Sequence, residues 1–205
     1  MVRRIVWLAL VATLAACGEA PESSRTAGAA ESPPPESTAQ STAPAPDPEP
    51  TEELLTPDGW GPLRIGMSLA EVVAAAGPDA NPDAVGGPEP EACDEFRPAS
   101  APAGVLVMIE RGVLTRISVS RNRDIATPAG FRVGDPDSLV IAAYGSRARV
   151  EPHKYVEPPA KYITVWRERP ADAEPRGIRY EVDATGHVAH LRAGGSSIEY
   201  VEGCL

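Results

Sequence analysis

The sequence contains few of the residues on which enzymes rely for chemistry. It has three histidines and three cysteines in 205 residues, and it has no glycine-rich phosphate loop, no HExxH zinc motif and no CxxC pair. His187 and His190 are three residues apart on a predicted strand, a spacing that turns their rings to opposite faces and disfavours a shared metal ion. His153 has no nucleophile motif beside it. We therefore expect a protein that is not an enzyme and needs no metal or cofactor.

Positive charge is also scarce. The chain carries 19 lysines and arginines against 29 aspartates and glutamates, a net charge of −10 at pH 7. The imbalance is strongest in residues 18–56, which hold eight acids and one base, Arg25. An acidic chain of this kind has no electrostatic attraction for nucleic acid or for an anionic bilayer. We therefore exclude nucleic acid as a partner.

The apolar run at the N-terminus, residues 5–14, is too short to span a bilayer, which needs about 20 residues. It is followed by Leu14-Ala-Ala-Cys17. This tetrapeptide resembles the lipobox of bacterial lipoproteins. The resemblance implies that residues 1–16 are a signal peptide, that cleavage leaves Cys17 as the first residue, and that acyl chains on Cys17 anchor the protein in a membrane.

The residue after Cys17 is Gly18 rather than an aspartate. By the sorting rule of Gram-negative lipoproteins, the resemblance implies an outer-membrane protein of the cell envelope that faces the periplasm. The competing interpretation of the same segment is an ordinary secretory signal with a chance cysteine.

Residues 17–56 have the composition of a tether. They consist mainly of Pro, Ala, Ser, Thr and Glu and offer almost nothing apolar to bury, so we expect the acylated cysteine to be followed by a disordered linker. Its reach is about 35 Å as a flexible coil and up to ~120 Å when stretched. Both a spacer from the membrane and a linker that only improves solubility fit this composition.

An internal repeat begins near Pro57. Two glycine-bounded segments align with each other at a constant offset of 68 residues. In this alignment Arg64 corresponds to Arg132, Gly66 to Gly134 and Gly77 to Gly145. Further along, Arg111–Val119 aligns with Thr185–Ala193. The ordered succession of matches predicts a duplicated unit, with repeat 1 at residues 57–124 and repeat 2 at residues 125–205.

Each repeat is predicted to be a short helix followed by strands. Ser68 and Glu71 form a capping box for the first helix, and Asp135 with Pro136 opens the second. Alternating apolar residues predict strands at 105–110, 113–119, 162–166, 178–182 and 188–192. The fold class is α+β, with two tandem units of a helix packed on antiparallel sheet.

These units resemble known families. Gly66-Met67-Ser68, Val72 and Gly77-Pro78 resemble the helix motif of the small outer-membrane assembly lipoproteins of the SmpA/OmlA (BamE-like) type, and the tandem arrangement is similar to the beta-lactamase-inhibitory protein architecture. The C-terminal half, with Pro152–Tyr155 and Glu199–Cys204, resembles an uncharacterised group of secreted bacterial proteins. The assembly lipoproteins have one unit, and the second copy here lacks Met-Ser. The resemblance implies a fold but assigns a functional role to no residue.

Three functions agree with these features. The first is a binding or scaffolding module for an envelope protein partner. The second is a lectin-like module for glycan or peptidoglycan, in which Tyr155, Tyr162, Trp166 and Tyr180 stack on sugar rings, although the same aromatics also serve to fill a core that has two phenylalanines. The third is an inhibitor of a periplasmic enzyme.

Cys93 and Cys204 are the two cysteines left after Cys17 is acylated. An even pair in an exported domain favours a disulfide bond, which here ties the C-terminus back to repeat 1. A free buried Cys93 and an intermolecular bond are the alternatives.

The lipobox leads to a direct prediction. We expect Cys17→Ser to abolish acylation and leave an uncleaved or soluble precursor, because the thioether forms on this sulfur. Metabolic labelling with a radioactive fatty acid and membrane fractionation measure the effect. A mutant that still matures and sediments with membranes would show that Cys17 is not the anchor.

Overall fold

A computed structural model describes residues 53–82 and 86–205. The predicted signal peptide at residues 1–16, Cys17 and most of the predicted tether lie outside the described residues. The described part contains two α-helices and a seven-stranded antiparallel sheet, which confirms the α+β class. None of its helices has the length and apolar character needed to cross a bilayer.

The chain alternates helices with antiparallel strands. The helices are α1 (Leu69–Ala76) and α2 (Asp137–Tyr144), and a two-stranded hairpin, β1 (Gly59–Trp60) and β2 (Leu63–Arg64), precedes α1. The main sheet contains β3 (Cys93–Phe96), β4 (Val105–Glu110), β5 (Val113–Ser120), β6 (Arg149–Pro152), β7 (Lys161–Trp166), β8 (Gly177–Val182) and β9 (Val188–Gly194). Their order across the sheet is β3-β4-β5-β9-β8-β7-β6. The five strands expected from the sequence are β4, β5, β7, β8 and β9, and the two edge strands are additions to them.

The start of α1 is the predicted capping box. Ser68 Oγ accepts a hydrogen bond from the Glu71 amide, and the Glu71 carboxylate accepts one from the Ser68 amide at 2.8 Å. The start of α2 differs from the prediction. Asp135 accepts a hydrogen bond from the Arg132 amide at 2.8 Å instead of capping the helix, and Pro136 occupies the N-cap position without a side-chain bond.

Each helix is joined to a strand of the sheet by the same three backbone hydrogen bonds. In the first junction the Leu69 amide donates to the Gly112 carbonyl, the Gly66 amide to the Leu114 carbonyl, and the Leu114 amide to the Met67 carbonyl. In the second the Asp137 amide donates to the Gly186 carbonyl, the Gly134 amide to the Val188 carbonyl, and the Val188 amide to the Asp135 carbonyl. The junctions attach the start of α1 to the start of β5 and the start of α2 to the start of β9, the two strands that pair at the centre of the sheet.

One face of the sheet packs under the helices and forms the core. Val72 of α1 and Val140 of α2 are fully buried there, whereas Leu69 and Leu139, which the sequence suggested as docking residues, are largely exposed. An eight-residue helix presents one narrow stripe to the sheet, so a single valine and its neighbours fill the contact. Leu55 is also fully buried and its amide donates to the Ala126 carbonyl, so packing begins two residues before Pro57.

The predicted disulfide is present. Cys93 of edge strand β3 is bonded to Cys204 with their Cα atoms 5.4 Å apart, across 111 residues of sequence. The bond holds the last residues of the chain against β3, at the edge of the sheet opposite to β6. This is the expected link between the C-terminus and the predicted first repeat.

We expect loss of this disulfide to lower the free energy of unfolding by about 4 to 5 kcal/mol, because a loop of this length adds that much conformational freedom to the unfolded chain. Denaturant titration of wild-type protein and of Cys93→Ser/Cys204→Ser under oxidising conditions measures the difference. Equal midpoints for the two proteins would contradict the expectation.

Candidate binding site on the open face of the sheet

The face of the sheet that is turned away from the helices carries polar side chains in rows. Residues paired across neighbouring strands project on the same side, so the strand register defines these rows. One row contains Ser118, Arg192, Arg179 and Thr164, which lie on β5, β9, β8 and β7. We call this side of the sheet the open face.

The adjacent row is centred on a half-buried carboxylate, that of Glu181. Its members are Ser120, His190, Glu181 and Tyr162 on the same four strands. Arg192 donates to the Glu181 carboxylate at 2.6 Å. His190 Nδ1 lies 3.3 Å from the same carboxylate, although its ring is not aligned for a hydrogen bond, and His153 Nε2 lies 3.5 Å from it.

The charge on Glu181 holds this group together. Burial by itself raises the pKa of Glu181, but the adjacent imidazole of His190, the charge of Arg192 and the contact with His153 outweigh it and lower the pKa to about 2. The carboxylate is therefore ionised at neutral pH, where its charge attracts the three basic side chains around it.

The Tyr162 ring lies between the His153 ring and the Arg179 guanidinium. The His153 ring stacks on it with centroids 4.6 Å apart, and the Arg179 guanidinium lies 4.0 Å from its centroid. Only 2% of Tyr162 is exposed. This stack is packing within the sheet rather than an accessible platform.

The C-terminal residues after β9 cross the open face as a strap, which we define as residues 195–205. Two arginines of the sheet hold it by its carbonyl groups. Arg116 donates to the Ser197 carbonyl at 3.0 Å, and Arg192 donates to the Tyr200 carbonyl at 2.9 Å. Arg116 also pairs with Glu95. Burial lowers the pKa of Arg116 to about 10, against the raising effect of Glu95, so the guanidinium stays charged at neutral pH.

The strap does not fill the space over the sheet. A cavity of about 410 Å³ remains between it and strands β4, β5 and β9. Four arginines line this cavity, Arg97, Arg116, Arg121 and Arg192, together with His190, and two glutamates oppose them, Glu95 and Glu202. The hydroxyl groups of Ser118 and Ser120 also line it. We call this space the arginine cavity.

No protein-family model, no curated protein and no solved structure matches this chain.

The four aromatic residues singled out in the sequence do not come together. Tyr180 is fully buried on the helix side, where its hydroxyl lies 2.9 Å from that of Tyr144, and Tyr162 is buried in the stack described above. Tyr155 is 61% exposed beside Lys154, and Trp166 is partly buried at the end of β7. These positions form no common stacking surface.

The arginine cavity was not foreseen from the sequence. Arg97, Arg121 and Arg192 are spread over 95 residues and belong to no motif, and only the pairing of β5 with β9 brings the last two together. The available signal was the alternation of Arg116 and Ser118 on the strand predicted at 113–119, which the structure extends to Ser120. Within residues 53–82 and 86–205 no group of three or more His, Cys, Asp or Glu side chains is arranged to hold a metal ion.

The low pKa of Glu181 predicts a pH effect on stability. Since this pKa is about 2 in the folded protein against an ordinary value of 4.5, the ionised carboxylate stabilises the fold above pH 4.5, and this contribution is lost as the pH falls from 4.5 towards 2. We expect the free energy of unfolding to fall more steeply in this window for wild type than for Glu181→Gln. Denaturant titrations at a series of pH values measure both slopes.

The matched control is Glu168→Gln, which removes an exposed carboxylate away from the cluster. It is expected to follow the wild-type slope. Parallel curves for wild type and Glu181→Gln would show that the cluster does not lower this pKa.

Proposed function

We propose that this chain is a lipid-anchored protein of the cell envelope, held at the outer membrane through Cys17, whose folded part is a non-enzymatic binding module for a protein partner. The observation that carries the proposal is the arginine cavity on the open face. The helices cover one side of the sheet and the strap covers only part of the other, which leaves a concave and charged surface of a size that suits a protruding group of a partner.

Binding rather than catalysis is supported by the chemistry of the lining. Guanidinium groups keep their protons at neutral pH, so they recognise an anion by charge and paired hydrogen bonds without exchanging protons with it. Arg116 and Arg192 are fixed in place by Glu95, Glu181 and the carbonyl groups of the strap. Groups that are immobilised before a partner arrives lose little entropy on binding.

We also propose that the folded part arose by duplication of one unit, as the sequence repeat suggests. The support is the set of three equivalent backbone hydrogen bonds at each helix–strand junction, together with Val72 and Val140 as the equivalent buried residues. The two units meet where β5 pairs with β9. On this proposal the resemblance to the SmpA/OmlA-type lipoproteins and to the beta-lactamase-inhibitory protein concerns architecture, and the open face is where this chain carries its own function.

Site-specific photo-crosslinking in intact cells tests the proposed function. A photoreactive amino acid at position 118 lies in the floor of the arginine cavity, and the matched control at position 142 lies on the exposed surface of α2. We expect a discrete adduct from position 118 and none from position 142, because the partner meets the open face.

The adduct also identifies the class of partner by mass spectrometry. A polypeptide supports the proposal, and a glycan or muropeptide supports the lectin-like alternative instead. Adducts from position 142 alone, or from neither position, would overturn the assignment of the open face.

A further inference from the structure

The arginine cavity contains positive charge that the fold itself does not use. Arg116 and Arg192 are paired with Glu95 and Glu181 and hold the strap. Arg97 and Arg121 also line the cavity, yet neither guanidinium has an ion pair or hydrogen bond with any residue in 53–82 or 86–205. Two of the four arginines are therefore free to meet a ligand.

The serine hydroxyls of the cavity likewise make no hydrogen bond with any described residue. Ser118 and Ser120 project from β5 into the lining, and within the described part of the chain neither hydroxyl makes a hydrogen bond. A serine hydroxyl can donate one hydrogen bond to an oxyanion, which adds to the stronger, charged hydrogen bonds of a guanidinium. Ser120 is paired across the strands with His190, so its hydroxyl stands beside another nitrogen group of the lining.

The charge of the cavity lining is positive, opposite in sign to the net charge of the chain. The lining has four arginines and two glutamates, whereas the chain as a whole carries a net charge of −10. A concave surface with low-dielectric walls concentrates the field of its own charges. An anion in this cavity is therefore attracted by the lining, although the chain as a whole is acidic.

We infer that the arginine cavity is a binding site for an oxyanion, with Arg97 and Arg121 as the recognising charges and Ser118 and Ser120 as neutral donors. A carboxylate and a phosphate share this chemistry, since both accept paired hydrogen bonds from a guanidinium fork. A wider depression of about 620 Å³ continues past Ser120, Arg121 and His190, so the rest of a larger ligand has room beyond the anionic group. The inference rests on the proposed function, because it names the chemistry through which the open face takes its partner.

The test is a titration of the isotope-labelled mature protein in detergent micelles with two probes, inorganic phosphate and N-acetylglycine. Ionic strength is held constant with sodium chloride, and the backbone amide shifts of Ser118, Ser120 and Arg121 are recorded by nuclear magnetic resonance. We expect saturable shifts with at least one probe. The probe that saturates the shifts distinguishes a phosphate source from a carboxylate source.

Variants show whether the arginines are responsible. Arg97→Gln and Arg121→Gln are each expected to weaken binding about tenfold or more, the usual effect of removing a charged hydrogen-bond donor. The matched control is Arg111→Gln/Arg147→Gln, which removes two exposed charges outside the cavity and is expected to bind as wild type does. Because the side chains of Arg97 and Arg121 support no other described residue, their loss leaves the fold intact, which circular dichroism checks.

Two results would overturn the inference: shifts that rise linearly with both probes, or shifts that saturate equally in wild type and in the two arginine variants. These outcomes are separate from the fate of the proposed function. A partner crosslinked at position 118 without oxyanion binding rejects the oxyanion site alone, and arginine-dependent oxyanion binding without a crosslinked partner rejects the protein partner alone.

Discussion

The pairing of β5 with β9 is the constraint on which the rest of this structure depends. Each strand carries a helix through the same three backbone hydrogen bonds, so this one ladder sets both helices on the same side of a continuous sheet. It also fixes the rows of the open face, because Ser118 stands opposite Arg192 and Ser120 opposite His190. A shift of one residue in this register would send these polar side chains into the core.

The charged groups of the open face shape the site more than they stabilise the fold. Arg116 and Glu95 are nearly excluded from water, with 4% and 13% of their side chains exposed. Desolvation of such a pair cancels much of its attraction, so an apolar pair of equal volume would serve stability as well. The pair instead fixes the orientation of the Arg116 guanidinium, which donates to the Ser197 carbonyl. Arg192 donates in the same way to the Tyr200 carbonyl. These hydrogen bonds hold the strap at a fixed distance from the sheet, and the arginine cavity lies between the two.

Local signals in the sequence anticipated the parts of the fold that short stretches determine. The Ser68–Glu71 capping box, the apolar alternation of β4 and β5, and the Cys93–Cys204 bond follow from spacing and residue type. The N-cap of α2 did not follow, because Asp135 satisfies the amide of Arg132 instead of an amide of the helix. Edge strands β3 and β6 were not anticipated either, since each has four residues and little apolar alternation.

The site lay beyond sequence reasoning for a different reason. Its groups come from β3, β4, β5 and β9, the residues that follow β3 and β5, and the strap. They meet only through long-range strand register, which a single sequence does not encode in any local pattern. The aromatic residues were the more visible candidates, but Tyr180 turns into a core that has few other aromatic rings, and Tyr162 is covered on the open face by His153 and Arg179. Aromatic content is therefore a weak guide to a binding face in a small domain, where the same rings are the cheapest way to fill the interior.

An acidic protein with a cationic cavity faces an apparent conflict, which charge screening resolves. At physiological ionic strength the field of an exposed charge decays over about 8 Å, so acids elsewhere on the surface contribute little inside the cavity. Arg97, which is half-buried, and Arg121, which is exposed, line the cavity, so their charges lie within this distance of an anion that enters it. On the proposed oxyanion site, the net negative charge of the chain disfavours an extended polyanion, which cannot enter the cavity, and the lining favours a single anionic group, which can. Selectivity for a protruding group over an extended polyanion follows from the placement of the charges rather than from their number.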